Sequence, residues 1–317
     1  MLSNDTLSLA GYRPRASNMV SMTKSLNSYD AGKAWVWGFV VTMLMTGQLR
    51  GLSRLLSVVP EILIALYIIW RRSVSVKETF RLRPIRPSGL LFPACFAISL
   101  GCLETLLLEG ADFLAGGRLG DVAELVSPDL PGDTLLATMA FAVVFVPIAE
   151  ELLFRGFFMT SMAELGMGWA IMVPSLLFAL GHSPFGWAGA FIMAVAGSIF
   201  VLETGSILPG IAAHASTNLL GTALPLIHDV LPGKTGEVVC ILLRLAGVSL
   251  AFLFIPQYKT LWTSVRRYWS DFHDQPLKAN LGYLLKHWSY KVIVAMLVAS
   301  ICLYGVLIYT GRAVTFD

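Results

Sequence analysis

The stretch Pro147-Ile148-Ala149-Glu150-Glu151-Leu152-Leu153-Phe154-Arg155 places three ionisable side chains inside an otherwise apolar segment. On a helix, Glu151 and Arg155 stand at i and i+4, on one face, and can neutralise each other. Glu150 points about 100° away and has no helical partner. One acid is therefore held in an ion pair, while its neighbour is free to do chemistry. Ionisable groups within apolar spans are costly and mark functional sites.

The rest of the chain makes the surroundings of that stretch a membrane. Of 317 residues, 56% are hydrophobic and 14% charged, and the mean hydropathy is +0.71, far from a soluble domain. A bilayer core takes about 20 apolar residues of helix. By that measure the apolar segments are 31–49, 53–70, 88–109, 133–154, 168–182, 186–203, 206–227, 237–255 and 289–310. The expected fold is all-α: a polytopic membrane helix bundle of about eight or nine transmembrane helices. The fifth and sixth segments are short and rich in glycine, so one of them is expected to be tilted, broken or re-entrant near the glutamates, where irregular backbone is tolerated if it is buried or lines a cavity.

Charge sets an expected topology. The 71–87 loop carries Arg71, Arg72, Lys77, Arg81, Arg83 and Arg86, and the 256–290 loop carries Lys259, Arg266, Arg267, Lys278 and Lys286; both should be cytoplasmic. The acidic 110–132 loop then falls outside, the N-terminus inside and the C-terminus outside. Trp35, Trp37, Trp70, Trp262, Trp269 and Trp288 fall near span ends, where interfacial anchors belong. A net charge of +3, spread over short runs, excludes a nucleic-acid surface. Cys95, Cys102, Cys240 and Cys302 lie in apolar stretches without metal or disulfide spacing and are read as packing residues. The polar N-terminal tail is expected to be mobile, and the first span uncleaved. The basic loops suggest three parts: a tail with two accessory spans (1–87), a catalytic bundle (88–255), and a basic loop with a final span (256–317).

Two further polar groupings interrupt apolar segments. In Phe178-Ala179-Leu180-Gly181-His182 the aromatic ring and the imidazole share a helical face, and in His214-Ala215-Ser216-Thr217-Asn218 so do His214 and Asn218. Each alone reads as a satisfied core histidine. Together with Glu150, Glu151 and Arg155 they crowd six polar groups into about seventy residues, more than a helix-gluing network needs. Glu61, Glu104 and Arg244 also lie in spans, and a structural ion pair between Arg244 and one of these two acids is the expectation. His228, His273 and His287 fall in loops.

The ordered set EExxxR (Glu150, Glu151, Arg155), FxxxH (Phe178, His182) and HxxxN (His214, Asn218) resembles the CPBP family of intramembrane proteases, also called the ABI or CAAX-protease family, which includes the type II CAAX prenyl endopeptidases. The approach Glu203-Thr204-Gly205-Ser206-Ile207-Leu208-Pro209-Gly210-Ile211-Ala212-Ala213-His214 is similar to the family's small-residue run before its last histidine. The likeness covers roughly 140–220. It implies hydrolysis of a peptide or protein substrate, with lipidated C-termini and other membrane-proximal peptides both within the class, beside membrane lipids as surroundings.

Amide hydrolysis needs an activated water, an oxyanion stabiliser and a proton donor for the leaving amine. Glu150 is the candidate base, His182 and His214 would position the water, Asn218 would donate to the oxyanion, and Glu151, Arg155 and Phe178 would support them. Alternatively, Glu150, His182 and His214 form the ligand set of a catalytic Zn2+ with one position open for water. The residues leave both schemes open. Outside the protease class stand a non-catalytic scaffold or immunity protein of the same fold and a proton-relay transporter. One tension accompanies the site: Glu150 falls toward the cytoplasmic end of the fourth segment and His182 at the outer end of the fifth, so kinks at Pro147, Pro174 or Pro184 would have to bring them to one depth.

Overall fold

The computed structural model describes residues 25–46, 58–114, 139–182, 184–231 and 233–310; the N-terminal tail, most of the acidic loop and the first residues of the fourth segment lie outside them. Among the described residues the regular structure is all helical, without strands. The helices are α1 (Ser28–Thr46), α2 (Val58–Arg72), the short α3 (Val76–Thr79) and α4 (Leu91–Leu114), then α5 (139–165), which carries the glutamates. There follow α6 (Met167–Leu180), α7 (Trp187–Thr204), α8 (Leu208–Val230) and α9 (Lys234–Ser249). The chain ends in α10 (Ile255–Asp274), α11 (Leu277–Lys286) and α12 (Trp288–Thr310).

Among the described residues three runs are long and apolar enough to cross a membrane: Pro87–Leu114, Trp187–Thr204 and Lys234–Asp274. The fifth predicted segment, α6, is apolar all round and too short at 14 residues; Trp169, Ile171, Leu177 and Phe178 are buried on it, as a helix enclosed by others requires. Pro174 sits inside α6 without breaking it. The irregular backbone expected in the fifth or sixth segment is instead in α5. Its residues Phe141–Phe145 and Leu152–Phe158 are π-helical, on either side of an α-helical Val146–Glu151. α7 stops at Gly205, whose φ of 67° is left-handed and which glycine adopts without a Cβ penalty.

The helices are held by an aromatic centre and a polar end. Phe92 and Phe96 of α4 meet Phe200 of α7 and Tyr258 of α10, with ring centroids 5.2–5.8 Å apart. α8 packs chiefly on α4, α6 on α7, and α1 on α2. At the basic end, Ser28 donates through its backbone and hydroxyl to Glu164 (2.8 and 2.6 Å), Tyr290 donates to the Ser28 carbonyl (2.5 Å), and Arg72 pairs with Asp30 (2.9 Å). The 256–290 region, read as a loop from sequence, forms α10 and α11, so His273 lies on a helix. α10 is amphipathic, burying Leu261 and Ser264 while exposing Trp262 and Trp269. It docks through Asp271, which accepts the Gly168 N–H at 2.5 Å, and through Arg267, which pairs with Glu203.

Two side-chain expectations are corrected. Arg244 pairs with Glu109 at 2.7 Å, not with Glu61 or Glu104. Glu104 instead accepts the Gly189 N–H in the first turn of α7. Cys102 and Cys240 are buried, whereas Cys302 is exposed on the outward face of α12.

The depth problem disappears because the fourth segment is longer than its apolar run. α5 continues to residue 165 at the basic end, so Glu150 stands about three turns of helix above Met162. α6 rises from the same end for 14 residues, roughly 21 Å, which brings Phe178 and His182 to the same level.

Candidate active site

Glu151 and Arg155 are almost fully enclosed, 1% and 2% exposed, and pair at 2.7 Å as the i, i+4 spacing predicts. The same Glu151 Oε1 lies 3.1 Å from His214 Nδ1. Glu151 thus bridges a cation on its own helix and an imidazole on α8. A carboxylate can only accept, so His214 donates through Nδ1–H and its Nε2 is left as an acceptor in the neutral ring. That Nε2 is 3.6 Å from Oε2 of Glu150, whose side chain is 26% exposed. The burial of the pair separates the two adjacent acids: one is enclosed in the protein, the other is open.

Glycine at residue 210 leaves the room in which Glu151 reaches α8. A Cβ on Gly210 would lie 2.5 Å from Glu151 Oε2, closer than Cβ atoms approach their neighbours. The small-residue run ahead of His214 is therefore the space into which the Glu151 carboxylate fits.

Phe178 is the hub of the second layer. The Arg155 guanidinium carbon stands 4.6 Å over its ring, His214 meets it edge-on at 5.4 Å, and Phe154 at 5.2 Å. His182, one turn on, meets the same ring at a tilt of 46°, with centroids 4.7 Å apart. Its Nδ1 is 2.9 Å from the Phe178 carbonyl, which can only accept; Nδ1 therefore carries the proton and Nε2 is turned outward as an acceptor. The Trp187 indole N–H donates to the His182 carbonyl at 2.9 Å, fixing the turn between α6 and α7. His182 is exposed, unlike His214.

Asn218 sits one turn beyond His214, and its Nδ2 donates to the Ala142 carbonyl at 2.8 Å. That carbonyl is free because of the π geometry: the Val146 N–H, which an α-helix would direct to Ala142, goes to Phe141. The structure thus links Glu151, Arg155, Phe178 and His214 in one cluster, joins Glu150 to it through His214, attaches His182 through the Phe178 ring, and occupies one N–H of Asn218 in helix packing.

Several contributors were missed from sequence. Glu61 of α2 lies close enough to Glu150 for their charges to interact. The π segments and the carbonyls they release carry no periodic signal; Pro147, whose missing N–H interrupts helical bonding, was the available clue. Among the described residues no three His, Cys, Asp or Glu side chains gather as a metal ligand set.

Residues 132–220 match the family model described as type II CAAX prenyl endopeptidase Rce1-like. This is a protease family, and the match spans Glu150, Glu151, Arg155, Phe178, His182, His214 and Asn218, while Glu61 lies outside it. No curated protein and no solved structure matches the chain.

Proposed function

We propose that the chain is an intramembrane endopeptidase that hydrolyses a membrane-proximal peptide bond with a water activated by Glu150, its basic end facing the cytoplasm. The observation that carries this reading is the asymmetry of the two glutamates. The enclosed Glu151 orients His214, while Glu150 is open and faces the acceptor nitrogen of that same imidazole across 3.6 Å. A water donating one hydrogen to Glu150 and the other to His214 Nε2 has its lone pair left for a carbonyl carbon.

The steps balance without a further reagent. Glu150 takes a proton as the water oxygen bonds to the scissile carbonyl carbon, giving a tetrahedral oxyanion. Asn218 keeps a second N–H besides the one on Ala142 and donates it to that oxyanion, and His182 Nε2 holds the substrate or water on the open side. Glu150 then returns its proton to the amine as the C–N bond breaks. The Rce1-like match supports a substrate whose cleaved bond is near a lipidated C-terminus.

The test is cleavage by purified protein in proteoliposomes, using a farnesylated peptide with a C-terminal CAAX sequence beside unlipidated membrane-proximal peptides. Wild type is expected to cleave, and Glu150→Gln to lose about 10³-fold or more in kcat, with unchanged yield and unfolding temperature. Wild-type turnover by Glu150→Gln would remove Glu150 from the chemistry.

A further inference from the structure

Both π segments of α5 release a carbonyl, and each carbonyl is taken by a polar side chain from another element. The first is Ala142, held by Asn218. At the end of the second segment the Met159 N–H turns to the Phe154 and Gly156 carbonyls, so the Arg155 carbonyl does not receive it. Arg81 takes that carbonyl: its Nη1 donates to Arg155 O at 2.7 Å and to Thr160 Oγ1 at 3.1 Å.

The backbone of Arg81 reaches the other half of the site. Its carbonyl accepts the Ile207 N–H at 3.1 Å, immediately before α8 begins, and two residues on the Arg83 carbonyl accepts the Ser206 hydroxyl at 2.5 Å. Arg81 holds this geometry at a φ of 48°, a conformation that side-chain-bearing residues rarely adopt and that surroundings must over-determine. Phe80, beside it, is buried against Gly156 of the same π segment.

We propose that Arg81 is a positioning residue for the candidate active site: it ties the Arg155 turn of α5 to the first turn of α8 and so fixes His214 against Glu151. The inference rests on the endopeptidase reading for its kinetic consequence alone. A topological charge needs only to lie somewhere in the loop; it needs neither two acceptors on α5 nor a left-handed backbone.

The experiment compares Arg81→Lys, Arg81→Ala, Thr160→Val and Ser206→Ala with Arg86→Gln, which removes the same charge from the same loop. Two quantities are read in lipid nanodiscs: hydrogen exchange of segments 150–160 and 206–214, and kcat and KM on whichever peptide the wild type cleaves. Arg81→Ala is expected to raise exchange in those two segments and to lower kcat about 10- to 100-fold with KM within about twofold. Arg81→Lys should recover part of the loss, because one ammonium can reach the acceptors without the guanidinium's planar fork. Arg86→Gln should change neither. If Arg81→Ala does not fold, Thr160→Val and Ser206→Ala each remove one tie with little change in shape and should raise exchange in the same segments. Unchanged exchange in the folded variants, or an equal effect of Arg86→Gln, overturns the proposal. If the wild type cleaves nothing, the endopeptidase reading fails, and the exchange data alone decide the role of Arg81.

Discussion

At the scale of single residues, Arg155 is the side chain whose loss should be felt most. Arg155→Met leaves Glu151 charged in a site where it is 1% exposed, and breaking a buried pair from one side costs about 3–5 kcal/mol. Thermal unfolding in detergent should show a large drop, partly relieved when Glu151→Leu is added; an additive double variant would show that the charges are not coupled. Gly210→Ala makes the same point from the facing helix. Its methyl group would sit 2.5 Å from Glu151 Oε2, and the overpacking should cost about 1–3 kcal/mol. Activity should fall further than stability, because the displaced carboxylate no longer aims His214.

At the scale of elements, α5 shows why hydropathy alone gave its place and not its path. Its apolar run and the EExxxR spacing announced a helix and an ion pair, and both are present. The two π segments depend on partners elsewhere, since a released carbonyl is tolerated only where another donor arrives. Asn218→Leu removes the donor from Ala142 and keeps the bulk. A carbonyl left without a partner costs about 1–3 kcal/mol, so unfolding should move by that amount and exchange should rise around 141–146. Exchange unchanged there would mean that the π segment holds without α8. The 256–290 region is a similar case: its charges read as a loop, and only the buried stripe of α10 against α6 and α7 makes it a helix.

At the scale of the whole molecule, polar ties at the two ends of the bundle differ in weight according to burial. Tyr290 is 5% exposed and donates to the Ser28 carbonyl, so Tyr290→Phe should cost about 1 kcal/mol. The side chain of Glu109 is 47% exposed in its pair with Arg244, and Glu109→Ala should change stability by less than about 1 kcal/mol; the two melting shifts, measured side by side, should rank in that order. What the sequence determined by itself was the helical class, the i, i+4 pairing of Glu151 with Arg155, and the polar residues that share faces, because these follow from local spacing and hydropathy. Tertiary structure decided that Glu151 also holds His214, that Arg244 takes Glu109, and that His182 joins the cluster through the Phe178 ring. Those outcomes depend on helix lengths, π geometry and the room left by a single glycine across a helix interface, none of which has a period along the chain.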